Sequence, residues 1–269
     1  MTDYVELRRD AQGTAWLTLN RPEVHNAFDD TMIAQIIDAL ETTDKDASVR
    51  ALVLRANGKN FSAGADLGWM KRMAQNSHEQ NLEDARQLAR LMERLNNLSK
   101  PTLALVQGAA YGGAVGLAAC CDIVIARNDA RFCLSEVKIG LIPAVISPYV
   151  VRAIGERQAR RYFVTAEAFD ATAAKGFGLV HELANDDAQL ESIAQTLIGQ
   201  LRRNSPQGIA EAKKLIHAVS QKPIDQNVID DTARRIADIR VSAEGQEGLS
   251  AFLNKRQPNW VEAPKGQEE

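Results

Sequence analysis

The sequence predicts an α/β fold that ends in a mostly helical region, and three observations lead to this prediction. Short apolar runs with strand character alternate with longer segments of helical periodicity as far as residue 126. Beyond residue 147 the periodicity is mostly helical. A chain of 269 residues with 45% hydrophobic content can also bury one large core, so two unrelated domains are not expected.

The elements of the N-terminal half follow from the spacing of their apolar residues. Alternating apolar and polar residues are typical of a half-buried strand, and Arg21-Pro22 ends the first such run. A Gly/Ala-rich segment later in this half indicates a tightly packed buried helix. In chain order we predict a strand over 15–20, a helix over 32–40, a strand over 50–55, a helix over 82–95 ending before Pro101, a strand over 102–106, the buried helix over 108–119 and a strand over 122–126.

The C-terminal half shows helical spacing and one clear helix start. Ser205-Pro206 combines a capping serine with a proline at the first helical position. The predicted elements are helices over 148–154, 156–164 and 170–175, a strand-like run over 179–183, and helices over 206–220, 225–241 and 243–254. We expect the last helices to dock on partner subunits.

These patterns predict the domain organisation of the chain. The core domain is expected over residues 1–204 and a C-terminal helical region over residues 205–260. The polar residues 261–269 are expected to be a disordered tail.

The overall charge and composition exclude several classes of partner. A formal net charge of −3 and a pI near 5.9 give no field that collects polyanions, so neither nucleic acid nor an anionic membrane is expected. No apolar run approaches the roughly 20 residues that span a bilayer, and the N-terminal segment lacks the apolar stretch of a signal peptide. We therefore expect a cytoplasmic protein.

The cysteines indicate neither a disulfide framework nor a metal site. Cys120 and Cys121 are adjacent and Cys133 lies near them, a pattern that suits small buried residues with reduced thiols. No cluster of metal-ligand residues is visible elsewhere, so no metal is expected.

Two segments rich in small residues offer backbone amides to a ligand. Residues 61–66 (FSAGAD), which we name the first amide loop, follow a strand and a polar stretch, and Ala65 N–H is the candidate donor. Residues 108–114 (GAAYGGA), the second amide loop, lead into a helix whose first amides lack intrahelical partners, and Gly113 N–H is the candidate donor there. Each segment alone is equally typical of a tight loop or of close helix–sheet packing. Together they predict two amides that converge on one oxygen, as in an oxyanion hole.

A proton carrier is also needed for chemistry at such a site, and Glu136 is the candidate. It lies in the segment FCLSEVKIGLIP (132–143), where apolar neighbours would leave a carboxylate poorly hydrated and more basic than in water. A glutamate beside Lys138 is equally typical of a solvated surface.

The order of these segments resembles the crotonase (enoyl-CoA hydratase/isomerase) superfamily over about residues 19–183. Residues 19–28 (LNRPEVHNAF) look like its opening motif, the first amide loop like its first oxyanion loop, and residues 112–122 (GGAVGLAACCD) like its second. The resemblance implies a spiral of repeated ββα units with a C-terminal helical region that builds homotrimers, frequently paired into homohexamers. It also implies an acyl-CoA substrate, with coenzyme A as part of that substrate and no separate cofactor.

The resemblance also implies roles for individual residues. Ala65 and Gly113 would hold the thioester oxygen, and Glu136 would occupy the family's second acidic catalytic position. The residues implied to line the substrate and the CoA are Val24, His25, Ala27, Ala63, Asp66, Leu67, Gly112, Pro143, Phe252 and Lys255.

One departure from the family pattern leaves the reaction open. Many hydratases with two catalytic carboxylates carry a glutamate three residues after the oxyanion glycine, where this chain has Gly116. A single Glu136 can return a water proton to Cα after directing hydroxide at Cβ, which gives a hydratase. The same residue can move a proton between carbons in an isomerase, or serve other enolate chemistry such as decarboxylation or thioester hydrolysis.

A finer resemblance suggests the substrate. Residues 112–122 and 132–148 look like the bacterial methylglutaconyl-CoA hydratases and their isohexenylglutaconyl-CoA relatives, which act in leucine and acyclic terpene degradation. A glutaconyl thioester carries a second carboxylate, for which Lys71, Arg72 and Lys138 are candidate partners, although each is also typical of a solvated surface charge. Hydration of 3-methylglutaconyl-CoA or a related branched thioester is the function predicted first. An RNA-binding or scaffold role is the alternative from another class, and the absence of a basic stripe and stacking aromatics speaks against it.

Overall fold

The computed structural model describes residues 3–261 and shows a mixed α/β architecture. The strands are β1 (Val5–Arg9), β2 (Thr14–Leu19), β3 (Ala51–Ala56), β4 (Thr102–Val106), β5 (Ala109–Tyr111), β6 (Ile123–Arg127), β7 (Arg131–Cys133), β8 (Phe169–Asp170) and β9 (Glu182–Ala184). The helices are α1 (Asp30–Lys45), α2 (Leu67–Met73), α3 (His78–Asn96), α4 (Gly113–Cys120), α5 (Ser147–Thr165), α6 (Ala171–Phe177), α7 (Asp187–Arg202), α8 (Pro206–Val219), α9 (Gln226–Val241) and α10 (Ala243–Leu253). Short 3₁₀ helices cover Pro22–Val24 and Glu136–Ile139.

Two sheets carry the first part of the chain. The larger has the order β1-β2-β3-β4-β6-β9, in which β1 and β2 are antiparallel and all other neighbours are parallel. The smaller has the order β5-β7-β8, with β5 parallel to β7. The chain passes from β4 to β5 and then into α4, and from β6 to β7 and then towards α5. This repetition is the predicted ββα unit, so the predicted fold class is confirmed.

Helices fill the core because each presents an apolar face to its neighbours. In α1 the predicted stripe is buried, and Asp29 caps the helix by accepting a hydrogen bond from Met32 N at 2.8 Å. Helix α4 is apolar all round and buried, as expected of a helix enclosed on every side. Contacts run from α1 to α3, from α3 to α4 and from α4 to α5.

The prediction of a half-buried first strand is wrong, because all six residues of β2 are buried. The alternating sequence predicts one solvent-exposed face for this strand, but a side chain of β3 covers that face. Arg55 donates a hydrogen bond from Nε to Thr18 Oγ1 at 3.1 Å, and its guanidinium lies 4.8 Å from the centre of the Trp16 ring. The Arg55 side chain therefore helps to cover the face of β2 that carries Trp16 and Thr18.

The predicted single helix over 108–119 is also wrong, since β5 precedes α4 within it. Gly112 separates them with φ 53° and ψ −121°, a conformation that only glycine adopts readily. Sequence patterns also missed β1, α2 and α7. In contrast, the predicted break between helices 148–154 and 156–164 is confirmed, because Gly155 is non-helical within α5, with φ 74° and ψ 156°.

The chain divides into two compact units, one ending at Thr196 and one beginning at Leu197. In the second unit, α8, α9 and α10 contact one another, and their capping residues are Ser205, Asp225 and Ser242. The predicted boundary after residue 204 and the predicted docking of these helices on partners stay predictions. Residues 262–269 of the predicted tail lie outside the described residues. No helix within residues 3–261 combines the length and apolar character needed to cross a bilayer.

Candidate active site

Three parallel chain segments end at one edge of the smaller sheet. Ser62 forms a parallel bridge with Ala110 of β5, and β5 is itself parallel to β7. Ala65, Gly113 and Glu136 each follow one of these three segments. Because the carboxyl ends of neighbouring parallel strands lie at the same edge, the fold brings the three predicted catalytic residues together.

Phe28 fixes the direction of the Ala65 amide in the first amide loop. Phe28 N donates to Gly64 O at 2.7 Å, and Asp66 N donates to Phe28 O at 2.7 Å, which makes Phe28 and Ala65 a parallel bridge pair. In such a bridge the N–H of the intervening residue points away from its partner strand. The Ala65 N–H accordingly has no acceptor among residues 3–261, and Ala65 is exposed.

The second amide loop presents the N–H of Gly113. Gly112 N donates to Cys133 O at 2.8 Å, which ties the loop to β7. Gly113 is the first residue of α4, so its N–H has no intrahelical acceptor, and it has no other within the described part of the chain. A Cβ on Gly113 would lie 2.9 Å from Phe28 Cε2. Phe28 therefore holds Ala65 with its backbone and packs its ring on Gly113, which places both free amides around one residue.

Glu136 turns its carboxyl group towards the second amide loop. It begins the 3₁₀ helix, and its Oε1 lies 3.2 Å from the position that a Cβ on Gly112 would take. Its Oε2 is buried and accepts no hydrogen bond within residues 3–261. Burial raises the pKa of the Glu136 carboxyl, although a hydrogen bond with its own backbone opposes the rise. A carboxylate of this kind is a stronger base than one in water.

Asp66 is held by partners on both carboxylate oxygens. Oδ1 accepts from Gly68 N at 2.7 Å and from Trp69 N at 3.0 Å, which caps α2. Oδ2 pairs at 3.3 Å with Nη2 of Arg21, whose side chain is 11% exposed. Burial by itself would raise the pKa of Asp66, but the two amide donors and the Arg21 charge outweigh it and hold the pKa below its usual value.

Arg21 and Asn26 are structural residues of this site that sequence analysis missed. Arg21 donates from Nη1 to Ala27 O at 3.0 Å and to Asp29 Oδ2 at 3.2 Å, so one guanidinium joins the opening turn to α1 and α2. Asn26 adopts a left-handed conformation with φ 53° and accepts a hydrogen bond from Arg21 N at 2.8 Å. Its amide donates to Asn57 O at 2.8 Å. Asparagine tolerates the left-handed region, which is the signal that could have marked this turn.

The residues predicted to line the CoA lie in several places. The turn that contains Val24, His25 and Ala27 is joined to the first amide loop, because Ala63 N donates to His25 O at 2.9 Å. Leu67 is 74% exposed beside that loop. Pro143 is buried in the segment that follows Glu136. Phe252 and Lys255 belong to the second unit, at and after the end of α10. The ligand contacts of all these residues, and of Gly112 and Asp66, stay predictions.

Gly116 has no space for a larger side chain. A Cβ built on Gly116 would lie 2.3 Å from Ile146 Cγ2 and 2.8 Å from Ile146 Cβ, with Met92 Cε at 3.3 Å. The contacts with Ile146 are far shorter than real Cβ atoms make. The position one helical turn beyond Gly113 is therefore closed by apolar side chains, and a carboxylate cannot be placed there without rearrangement.

The candidate cations for a second substrate carboxylate are exposed. Arg72 pairs with Asp30 at 2.6 Å, and Lys71 and Lys138 lie on the surface. In the part of the chain that the structure describes, no three His, Cys, Asp or Glu side chains form a metal-binding group. The predicted catalytic groups at this edge are two amides and one carboxyl group.

Known proteins are similar to this chain in sequence and fold. A sequence model of the enoyl-CoA hydratase/isomerase family matches residues 9–263. The crystal structure of an enoyl-CoA hydratase from Shewanella pealeana is 53% identical, with a TM-score of 0.93 and 96% of each chain covered. The 2,3-dehydroadipyl-CoA hydratase of Escherichia coli is 32% identical over 91% of this chain and 93% of its own. A Delta(3,5)-Delta(2,4)-dienoyl-CoA isomerase of Dictyostelium discoideum is 29% identical over 96% of this chain and 92% of its own.

Proposed function

The chain belongs to the enoyl-CoA hydratase/isomerase family, and from this premise we propose that it is a hydratase that adds water across the 2,3 double bond of an enoyl-CoA thioester. The observation that carries the proposal is the meeting of two free amides with one basic carboxyl group. Ala65 N–H, Gly113 N–H and the unpartnered Glu136 Oε2 lie at one edge of the smaller sheet.

The amides stabilise the charge that develops on the thioester oxygen. As the oxygen of water bonds to Cβ, the π electrons of the double bond move to form an enolate. The N–H groups of Ala65 and Gly113 are fixed by Phe28 and by α4, so they need no rearrangement to receive this charge. Fixed donors of this kind stabilise the transition state more than the ground state.

Glu136 moves the proton in both halves of the reaction. Its carboxylate accepts a proton from water as the new C–O bond forms at Cβ. It then returns that proton to Cα, which collapses the enolate and leaves a 3-hydroxyacyl thioester with one water added. The pKa raised by burial suits both steps, because the carboxylate is a better base and its protonated form persists long enough to act as the acid.

A short branched dicarboxylic thioester, such as 3-methylglutaconyl-CoA, is the proposed substrate. Support comes from the resemblance of residues 112–122 and 132–148 to the methylglutaconyl-CoA branch. It also comes from a relative named as acting on 2,3-dehydroadipyl-CoA, another dicarboxylic thioester. Leucine or acyclic terpene degradation is the metabolic setting proposed on the same grounds, with the cytoplasm as location.

We also propose that the chain assembles as a homotrimer, with two trimers forming a hexamer. The second unit supports this, because Ile224, Val241 and Leu253 are all more than three-quarters exposed there. Apolar side chains at such exposure are typical of surfaces that a partner covers.

Isomerisation is the second candidate, and Gly116 is the observation that favours it. Because Ile146 closes the space beside Gly116, position 116 supplies no second carboxylate to hold water while Glu136 acts on Cα. One carboxylate is sufficient to remove a proton from one carbon and return it to another.

Mass spectrometry of the products separates the two candidates. The protein is incubated with 3-methylglutaconyl-CoA and with crotonyl-CoA, and the masses of the thioester products are measured. A hydratase yields a product heavier by one water, and in ¹⁸O-labelled water that product carries the label. An unchanged mass with a displaced double bond would overturn the proposed hydration in favour of isomerisation.

A further inference from the structure

The indole N–H of Trp69 is a buried donor without an acceptor in the described chain. Three buried side-chain polar atoms within residues 3–261 lack a hydrogen-bond partner, namely Arg21 Nε, Trp69 Nε1 and Glu136 Oε2. All three belong to segments of the candidate active site. Trp69 is 6% exposed. Buried donors are rarely left without an acceptor, so each such atom points to a partner outside the chain.

The other two tryptophans show that this is particular to Trp69. Trp16 donates from Nε1 to Asp10 Oδ2 at 3.0 Å, and Trp260 donates from Nε1 to Arg203 O at 3.2 Å. The sequence contains three tryptophans, and Trp69 is the only one whose indole N–H has no acceptor within residues 3–261.

Trp69 lies in the first turn of α2, directly after the first amide loop. The helix begins directly after Asp66, and Trp69 is buried while its neighbour Leu67 is 74% exposed. Long helical side chains lean towards the N-terminus of their helix and cover the preceding turn. This tendency directs the indole towards the turn that carries Ala65.

The acceptors of Asp66, which caps the helix that carries Trp69, are already engaged by other donors. Asp66 Oδ1 accepts from the backbone amides of Gly68 and Trp69, and Asp66 Oδ2 pairs with Arg21. The carbonyl of Asp66 accepts from Met70 N at 2.9 Å. Trp69 Nε1 has no acceptor within residues 3–261 and is therefore available to an acceptor that a ligand brings.

We propose that Trp69 is a specificity-determining residue, whose indole N–H binds the distal carboxylate of a dicarboxylic acyl-CoA. The inference rests on the proposed function and deepens it. The thioester oxygen has its own two donors in Ala65 and Gly113, so a further buried donor beside them serves a second oxygen of the acyl group. The exposed cations Lys71, Arg72 and Lys138 are solvated, and a desolvated donor discriminates more strongly between substrates.

Binding of two saturated thioesters tests this donor without requiring catalysis. Glutaryl-CoA carries the distal carboxylate, and pentanoyl-CoA has a methyl group in its place. In W69F, which keeps an aromatic ring but removes the N–H, we expect the Kd for glutaryl-CoA to rise about ten- to hundredfold. The Kd for pentanoyl-CoA should change less than about threefold, because a neutral end group forms no hydrogen bond to the indole.

W16F is the matched control, because it removes an indole N–H that already has an acceptor in the chain. It should leave the ratio of the two Kd values unchanged. Equal weakening of both thioesters in W69F would assign Trp69 a purely steric role and overturn the proposal, as would no change in either. Calorimetry gives the six Kd values, two for the wild type and two for each variant, and thermal melting checks that both variants are folded.

An NMR measurement on the wild-type chain decides the matter if W69F does not fold. The indole proton of ¹⁵N-labelled Trp69 should move downfield with glutaryl-CoA and not with pentanoyl-CoA, while those of Trp16 and Trp260 stay in place. An unmoved Trp69 signal in saturated complex would refute the proposed bond. Failure of the wild type to hydrate either 3-methylglutaconyl-CoA or crotonyl-CoA would refute the hydratase instead, since these binding measurements do not depend on turnover.

Discussion

The turns that carry Asp66 and Glu136 hold two carboxyl groups of the same site in opposite ways. Asp66 has donors on both oxygens, and they outweigh the effect of burial and lower its pKa. Glu136 has an oxygen without a partner in the described part of the chain, and burial raises the pKa of its carboxyl group. This difference indicates that the two carboxyl groups have different roles. A fully bonded carboxylate fixes the backbone around it, whereas a carboxyl group deprived of donors stays basic enough to take a proton.

The strongest test of this comparison is to replace Glu136 by glutamine. The amide cannot accept a proton, so we expect kcat for the turned-over thioester to fall by about 10²–10⁴-fold. E156Q is the control, because Glu156 is highly exposed and should be dispensable for turnover. Steady-state kinetics of both variants measure the effect. Retention of most of the wild-type rate in E136Q would remove Glu136 from the chemistry.

The same substitution has a pH signature. Turnover requires the carboxylate, so it should fall as the pH drops through the raised pKa of Glu136. A raised pKa means that folding favours the protonated form, so the wild type loses stability as the pH rises from the ordinary value of 4.5 through the folded value. E136Q lacks this loss. It should therefore melt higher than the wild type at neutral pH, and the two should converge below about pH 4.5.

A smaller effect is expected when a backbone amide is displaced. In G113A the new methyl group would lie 2.9 Å from Phe28, which must shift and carry the first amide loop with it. Loss of one oxyanion donor lowers kcat by about 10²–10³-fold. G176A is the control, since a Cβ at Gly176 in α6 meets nothing within 4 Å and should leave activity intact. An unchanged kcat in G113A would show that the contact with Phe28 does not position the two amides.

The smallest effect on turnover is expected at Asp66. D66N keeps the shape of the side chain but loses the charge opposite Arg21, and should lower the free energy of unfolding by about 1–3 kcal/mol at neutral pH. The stability that the lowered pKa contributes is complete above the ordinary value of 3.8 and is lost as the pH falls through the folded pKa. The difference from the wild type should therefore shrink in acid. Urea unfolding at several pH values measures it.

If kcat fell as far in D66N as in E136Q, Asp66 would have to be assigned a role in the reaction itself. A loss of less than about tenfold in kcat is the result expected of a residue that only positions its neighbours. Comparing the two variants on one substrate thus sharpens the contrast between the two carboxyl groups.

Local patterns in the sequence predicted the larger elements well. Helix α1 has a long apolar stripe and α8 begins with a serine cap and a proline, so neighbouring residues suffice to specify both. Strand β5 was missed because it has only three residues and exists through pairing with β7. Such pairing leaves no periodicity in the segment itself.

The candidate site was predictable where its chemistry lies in short motifs. The two amide loops and Glu136 were found from small residues, apolar context and family resemblance, and their roles stay predictions. The Arg21 network could not be found in this way, because its partner Asp66 lies far along the chain. The contact of Ile146 with Gly116 has the same origin, since only the packing of α4 against the start of α5 creates it.

The contact between Ile146 and Gly116 restricts the order in which substitutions at these two positions can occur. Because Ile146 occupies the volume that any side chain at position 116 needs, a glutamate there is compatible with the fold only after Ile146 has become smaller. The opposite order passes through an overpacked intermediate. A second carboxylate at position 116 therefore requires at least two substitutions, of which the one at Ile146 comes first.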